Sequence, residues 1–250
     1  MIFRWSIWGD YVFKNIELLR YSILSFKKQF GNDHKYIIYT DNVEFISTHT
    51  DKIVDVRQFP SGNNSLFCVN SKATWMKWCP SIRIDINETE FYIDSDVFLL
   101  KYPKEIDSFL SDTNKKFAIT DEFFGQSWQH GAMKKKTTPN TPFVNAGLFI
   151  QKAGYDISND LIKEFEWWQK NIKVNEQTHH DEQGALAIAV TDYLVNGELC
   201  ILSKDDYMLI GDNENTDVQN LDKITLFHAV YPDHPAFYKF KGFLDKILHI

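Results

Sequence analysis

"FYIDSDVFLL", residues 91–100, decides how this chain folds. It is apolar except at Asp94, Ser95 and Asp96. Its apolar flanks read as a strand buried on both faces, as in a parallel sheet covered by helices. An unpaired buried carboxylate costs several kcal/mol or shifts its pKa. Two acids one residue apart also repel each other. A divalent cation removes both penalties, and Mg²⁺ or Mn²⁺ prefers carboxylate oxygens and keeps positions open for phosphate. The pair therefore suggests a metal–diphosphate site at a strand end. The other reading is a turn in which each Asp caps backbone N–H groups.

The surrounding sequence supplies the rest of a sheet. "IFRWSIW" reads as a first strand, and "YVFKNIELLRYSILSFKKQF" as a helix with Ile16, Leu19, Ile23, Leu24 and Phe26 on one side, ended by Gly31 and Asn32. "KYIIYTDN" and "KIVDVRQF" are strands, and "SKATWMKWCPSIRID" predicts a helix up to Pro80. "EFYIDSDVFLL" reads as one strand, followed by the strands "KKFAITDEF" and "TPFVNAGLFIQKA". "SNDLIKEFEWWQKN" is a helix with Ser158 or Asn159 as N-cap, and "DEQGALAIAVTDYL" is another. "ELCILSK" and "KITLFHAV" are late strands. Strands alternating with helices over the first hundred residues predict an α/β class with a doubly wound, mostly parallel sheet and helices on both faces. Ligands of such sheets bind outside the carboxyl ends of strands. Asp94, Asp96 and Asp41, which closes "YIIYTD", all sit near such ends.

At 250 residues, with no repeat or Pro/Gly/Ser linker, the chain reads as one domain, 1–250, with a sizeable core. A net charge of −7 argues against nucleic acid as a partner. The 20 Phe, 11 Tyr and 7 Trp build core, and can also stack on bases and sugars. Cys68, Cys79 and Cys200 show neither zinc spacing nor a disulfide framework, so a reducing compartment such as the cytoplasm is expected. The sequons at Asn63 and Asn87 read as chance matches. No apolar run is long enough for a membrane span. "FYKFKGFLDKILHI" reads as a final amphipathic helix packed on the domain, with contact to a membrane surface as the other reading.

Three further segments offer chemistry. Asn145-Ala146-Gly147 lies inside an apolar strand, where small residues admit a ligand or another backbone, or mark a bulge. His179, His180, Asp181, Glu182 and Gln183 open a helix, where acids suit the helix dipole or form a polar cluster facing a sugar. His228 ends an apolar strand, as a structural residue or as a nitrogen ligand for the same metal.

In their order along the chain these segments resemble the GT-A glycosyltransferases, most closely those organised like glycosyltransferase family 8. The residues that carry the likeness are "YIDSDVFLL", "FVNAGLFI", "DEQ" and "LFH", preceded by "SIWGDYVFKNIELLRYSILSF" and "YIIYTDN". The resemblance implies a single GT-A-like domain, with a Rossmann-like half (1–100) binding a nucleotide sugar and a half (101–250) binding the acceptor. It implies transfer of a sugar from a UDP- or GDP-sugar to a hydroxyl of a glycan, lipid or protein, with retention of configuration and with Mn²⁺ or Mg²⁺ as cofactor. The competing readings are a sugar- or nucleotide-binding protein without turnover, and a phosphotransferase like the haloacid dehalogenases.

The resemblance also implies roles. Asp96 is the direct metal ligand, Asp94 binds metal and sugar or ribose hydroxyls, and His228 completes the ligands. Ser95 lies between the acids on the donor side. Ser6 to Tyr11 line the nucleotide pocket, with Trp8 or Tyr11 near the base and Asp41 accepting from a ring N–H. Lys72 and Arg83, expected on a helix before the Asp-x-Asp strand, approach the donor phosphates or are solvated charges. Asn145 lies near the reacting sugar, and Asp181, Glu182 and Gln183 hold its hydroxyls or supply a base. Lys239 and Lys241 are candidates for the distal phosphate. The acceptor meets the loop at 122–140, where Phe124 and Trp128 offer stacking surfaces and Lys134 to Lys136 are a basic run.

Overall fold

The computed structural model describes residues 1–60, 66–122, 125–211, 221–230 and 233–250. The sequon at Asn63 and the stacking candidate Phe124 lie outside the described residues.

Seven strands form the main sheet: β1 (Ile2–Ile7), β2 (Lys35–Thr40), β3 (Asp55–Gln58), β4 (Glu90–Ile93), β6 (Phe117–Asp121), β7 (Val144–Gln151) and β8 (Leu199–Leu202). Their order is β3-β2-β1-β4-β7-β6-β8. Neighbours pair in parallel except at β7, which runs antiparallel to both β4 and β6. The α/β expectation is borne out. A smaller sheet, β5-β10-β9, joins β5 (Val97–Leu99), β9 (Tyr207–Ile210) and β10 (Leu226–Ala229).

"FYIDSDVFLL" is therefore not one strand. The chain leaves the main sheet after Ile93 and enters the small sheet at Val97. Asp94-Ser95-Asp96 is the turn between them. The Asp94 N–H bonds the Gly147 carbonyl, and the Val97 N–H returns to the Asp94 carbonyl. Both flanks are buried, so hydropathy alone cannot reveal the change of sheet.

Period-two alternation sorts side chains onto two covered faces. Phe3, Trp5 and Ile7 pack with Leu19, Ile23 and Phe26 of α2 (Ile16–Phe30), Ile46 of α3 (Val43–His49) and Ile106 of α4 (Lys104–Ser111). On the opposite face, Ile2, Tyr39, Tyr92 and Phe149 pack with Phe165 and Trp168 of α5 (Ser158–Asn171) and Leu186 of α6 (Asp181–Ala189). The first predicted helix breaks at Asn15, into α1 (Tyr11–Lys14) and α2, and "DEQGALAIAVTDYL" breaks at Val190, into α6 and α7 (Thr191–Val195). Neither Ser158 nor Asn159 caps α5. The N-cap is Ile157, and Asp156 accepts from the Ser158 N–H.

The helix predicted up to Pro80 is a single 3-10 turn, Trp75–Trp78. Pro80 ends the run, and Arg4 holds the chain that follows. Its guanidinium takes the carbonyls of Lys77 (3.2 Å), Cys79 (2.7 Å) and Ser81 (2.7 Å), which a helix would need for its own ladder. A disulfide joins Cys68 to Cys79 across this segment, while Cys200 is free. The expectation of unpaired cysteines is corrected, because two of the three meet only through the tertiary fold. The C-terminal helix α8 (Pro235–Leu248) packs Phe237, Phe240 and Leu244 with Leu18 and Tyr21 of α2. Among the described residues, no helix is long and apolar enough to cross a membrane.

Candidate active site

The antiparallel course of β7 builds the site. It brings the start of that strand beside the carboxyl ends of β4 and β6, where ligands of open α/β sheets bind. Asn145, Ala146 and Gly147 thus face the Asp94–Asp96 turn. Gly147 is required by its neighbour. A Cβ there would lie 2.6 Å from the His228 ring and 2.8 Å from Asn145 Oδ1. The small residue admits an imidazole, and the strand is also irregular here: the pairing of β7 with β6 jumps from Phe149–Ile119 to Asn145–Thr120, so the bulge reading holds as well.

Asp94, Asp96 and His228 each present a ligand atom, all within 4.8 Å of one another. β10 pairs His228 with Val97, which sets the ring beside Asp96, with Nε2 3.2 Å from Oδ1. His234, just before α8, reaches the other oxygen, with Nδ1 3.1 Å from Oδ2. Burial alone would raise the Asp96 pKa, but His228 and His234 hold it well below the usual carboxylate range. Burial likewise opposes a charge on His228, and Asp96 more than offsets that, so its pKa lies above the ordinary value. Two carboxylates and one imidazole at this spacing suit a hard divalent cation such as Mn²⁺ or Mg²⁺. The residues present therefore fit the implied metal.

Lys77 completes the charge pattern, and sequence reasoning passed over it. Its ammonium lies 2.8 Å from Asp94 Oδ1, 2.8 Å from the Ala146 carbonyl and 4.0 Å from Glu182 Oε2. Burial disfavours the charge, but Asp94 and Glu182 outweigh it and raise the pKa. Glu182 is fully buried and accepts from Trp78 Nε1 (2.6 Å) and Thr74 Oγ1 (3.0 Å). Burial pushes its carboxyl up despite Lys77.

A second polar cluster adjoins the first. The Asn145 amide donates to Glu122 Oε2 (3.2 Å) and Gln183 Oε1 (3.3 Å), and Gln183 Oε1 also accepts from the Ala146 N–H (3.2 Å). Asn145 Oδ1 accepts from the Gly147 N–H and lies 3.1 Å from His228 Nδ1. Glu122 is buried just past the end of β6, a position the strand-end logic applied to Asp94 could have found.

The other predicted residues divide. Ser6 donates to the Lys77 carbonyl at 3.2 Å, and Gly9 N–H bonds Asp41 Oδ2 at 2.8 Å, so the ends of β1 and β2 form one wall, with Trp8 on the loop after β1 and Tyr11 opening α1. Ser95 is half-buried in the acid turn. Lys72 is exposed, outside any helix. Arg83 lies at the opposite end of the sheet, donating to the carbonyls of Asp85, Ile86, Glu88 and Lys152, and cannot approach the acid turn. Asp181 is fully enclosed and lies apart from the Asn145–Gln183 cluster. Its oxygens accept from Trp168 Nε1 (2.8 Å), Thr178 Oγ1 (2.6 Å) and the Ala132 N–H (2.7 Å). Lys241 is held by Glu17 and Asp245 on the helix surface.

No known family's sequence profile matches the chain, and no curated protein matches it in sequence. Solved structures do. The galactosyltransferase LgtC, determined with donor and acceptor sugar analogues, matches with a TM-score of 0.62 at 12% identity, over 100% of this chain and 95% of that one. Mouse xyloside xylosyltransferase 1 matches with a TM-score of 0.54 at 11% identity, over 91% and 97%. The glycosyltransferase GlyE of Streptococcus pneumoniae matches with a TM-score of 0.58 at 13% identity, over 99% of this chain and 63% of that one. At such identities the likeness is one of architecture: the chain has the GT-A fold of glycosyltransferases.

Proposed function

We propose that this protein is a metal-dependent glycosyltransferase, moving a hexose from a UDP- or GDP-sugar to a hydroxyl of a glycan, lipid or protein. The observation that carries this is the meeting of Asp94, Asp96 and His228 at the carboxyl end of a GT-A sheet. Those three residues would hold Mn²⁺ or Mg²⁺. When bound, the ion neutralises charge on the departing diphosphate as a Lewis acid. Residues 1–100 hold the nucleotide sugar, with Ser6, Trp8, Tyr11 and Asp41 along the base and ribose. Lys77 offers a fixed positive charge beside Asp94. Asn145 and Gln183 orient the sugar with their amides.

Residues 101–250 bind the acceptor. Trp128, 46% exposed, meets the His180 ring edge-on at 5.2 Å, and the two make an aromatic platform for a sugar face. Retention of configuration is supported by the acids themselves. Asp181 is enclosed and Glu182 is held by Trp78, Thr74 and Lys77, so neither is placed to act as a base on the acceptor. The leaving phosphate then takes that proton. A cytoplasmic or membrane-peripheral site of action belongs to the same proposal, and the Cys68–Cys79 disulfide weighs against the first.

Asp96→Ala should abolish transfer and Mn²⁺-dependent donor binding, read by thermal shift across UDP- and GDP-sugars. Normal donor binding in Mn²⁺ by that variant would end the proposal. Slow hydrolysis of the donor without acceptor, lost in the same variant, separates turnover from mere binding. Trp128→Ala should raise the KM for acceptor and leave donor binding unchanged; an unaltered KM would remove the platform from the acceptor site.

A further inference from the structure

Asp96 is gripped from two sides. His228 takes Oδ1, and His234 takes Oδ2 at 3.1 Å. The His234 ring is buried, at 6% exposure. Its Nδ1 also lies 2.8 Å from the Ala229 carbonyl. A carbonyl and a carboxylate can only accept, so Nδ1 carries a proton shared between them. On the far side of the ring, Nε2 lies 3.3 Å from the Asn15 side-chain amide. That amide donates to a bare Nε2, so these contacts agree on one tautomer. The Ala229 N–H in turn bonds the Asp96 carbonyl at 2.9 Å, fixing the backbone of the same residue.

The backbone of His234 supports a fixed role. Its φ of 46° is left-handed, which is uncommon for any residue but glycine, and α8 begins with Pro235 directly after it. An uncommon backbone conformation held at a site is an indication of function.

We propose that His234 is a positioning residue for the metal site. Through the relay Asn15, His234, Asp96, it presents the carboxylate to the cation without being a ligand itself. This rests on the metal-dependent reading above. Outer partners of this kind fix the orientation and basicity of a ligand, and losing one typically weakens metal binding roughly 10–100-fold.

The test is calorimetric titration of the metal-free full chain with Mn²⁺ alone. His234→Gln removes the donor from the Nδ1 position, and affinity should fall about 10–100-fold. His234→Asn places an amide N–H where Nδ1–H was, and should recover most of that loss. Melting of each variant without metal shows that it is folded. A folded His234→Gln protein that binds Mn²⁺ like wild type overturns the proposal. So does a folded His234→Asn protein as weak as His234→Gln, because the donor would then not be what matters. If His234→Gln does not fold, Asn15→Leu serves, with a smaller loss expected and an unchanged affinity overturning the relay. Wild-type protein that binds no Mn²⁺ would instead defeat the metal-dependent reading as a whole.

Discussion

The strand β4 begins with one acid, Glu90, and is followed directly by another, Asp94, and its two ends are built differently. At its start, Glu90 is fully buried 3.5 Å from Arg4 and accepts from the Ile84 N–H. Arg4 is itself buried, between the rings of Tyr39 and Tyr92 at 4.9 and 5.0 Å. At its far end, Asp94 keeps 31% exposure although Lys77 is on it. One end is sealed and serves the fold. The other is open on one side, as the proposed donor site requires. Burial of a charge therefore does not by itself mark function; the open side does.

The largest effect that would sharpen this contrast is on stability. Arg4→Met leaves Glu90 uncompensated in the interior and should cost about 3–5 kcal/mol in urea unfolding. Adding Glu90→Leu should recover most of it. If the double variant stays as unstable as the single one, the carbonyls of Lys77, Cys79 and Ser81 matter more than the ion pair.

The open end should respond in the opposite sense. In Lys77→Met, Asp94 can rehydrate, and Glu182, raised by burial, can take a proton. The stability loss should stay below about 2 kcal/mol, within the ordinary range for single substitutions. Transfer should fall roughly 100-fold, the scale of losing one electrostatic contact to developing charge. Lys77→Met as unstable as Arg4→Met, with transfer intact, would erase the difference between the ends.

The smallest effect concerns the rim of the open end. Burial, with His179 adding to it, lowers the His180 pKa to about 4. Its folded value lies below the unfolded one, so the ring is neutral in the fold and its contribution is complete above about pH 6.5. As pH falls from there toward 4, the unfolded chain gains a proton that the folded chain refuses, and stability declines. Melting temperatures between pH 7 and 4.5 should show that decline, and His180→Gln should flatten it.

Much of this was legible because polar residues stood out against apolar runs. Asp94, Asp96 and His228 each break or end such a run, and strand ends converge in this class of sheet. Lys77 stood unremarked in "TWMKWC", and Lys72 and Arg83 drew notice instead. The Lys77 ammonium is held inside by Asp94, the Ala146 carbonyl and Glu182, and its carbonyl by Arg4, all distant in sequence. Asp181 carried the same signal as Glu182 and Gln183, yet one step along a helix turns a side chain by roughly 100°. It faces Trp168 and Thr178 instead. Glu122, just past β6, fitted the strand-end logic but was taken only as part of the loop at 122–140, whereas His234 lies in a loop whose partners Asp96 and Asn15 are distant in sequence, so no local pattern marked it.

The disulfide between Cys68 and Cys79 spans the stretch that carries Thr74, Lys77 and Trp78. Whoever prepares this protein therefore chooses the state of the floor of the candidate site along with the expression host and the buffer. Protein made in an oxidising periplasm and protein purified under dithiothreitol would differ in how firmly Lys77 is held beside Asp94. Specific activities from the two preparations should be compared only after their thiols have been counted.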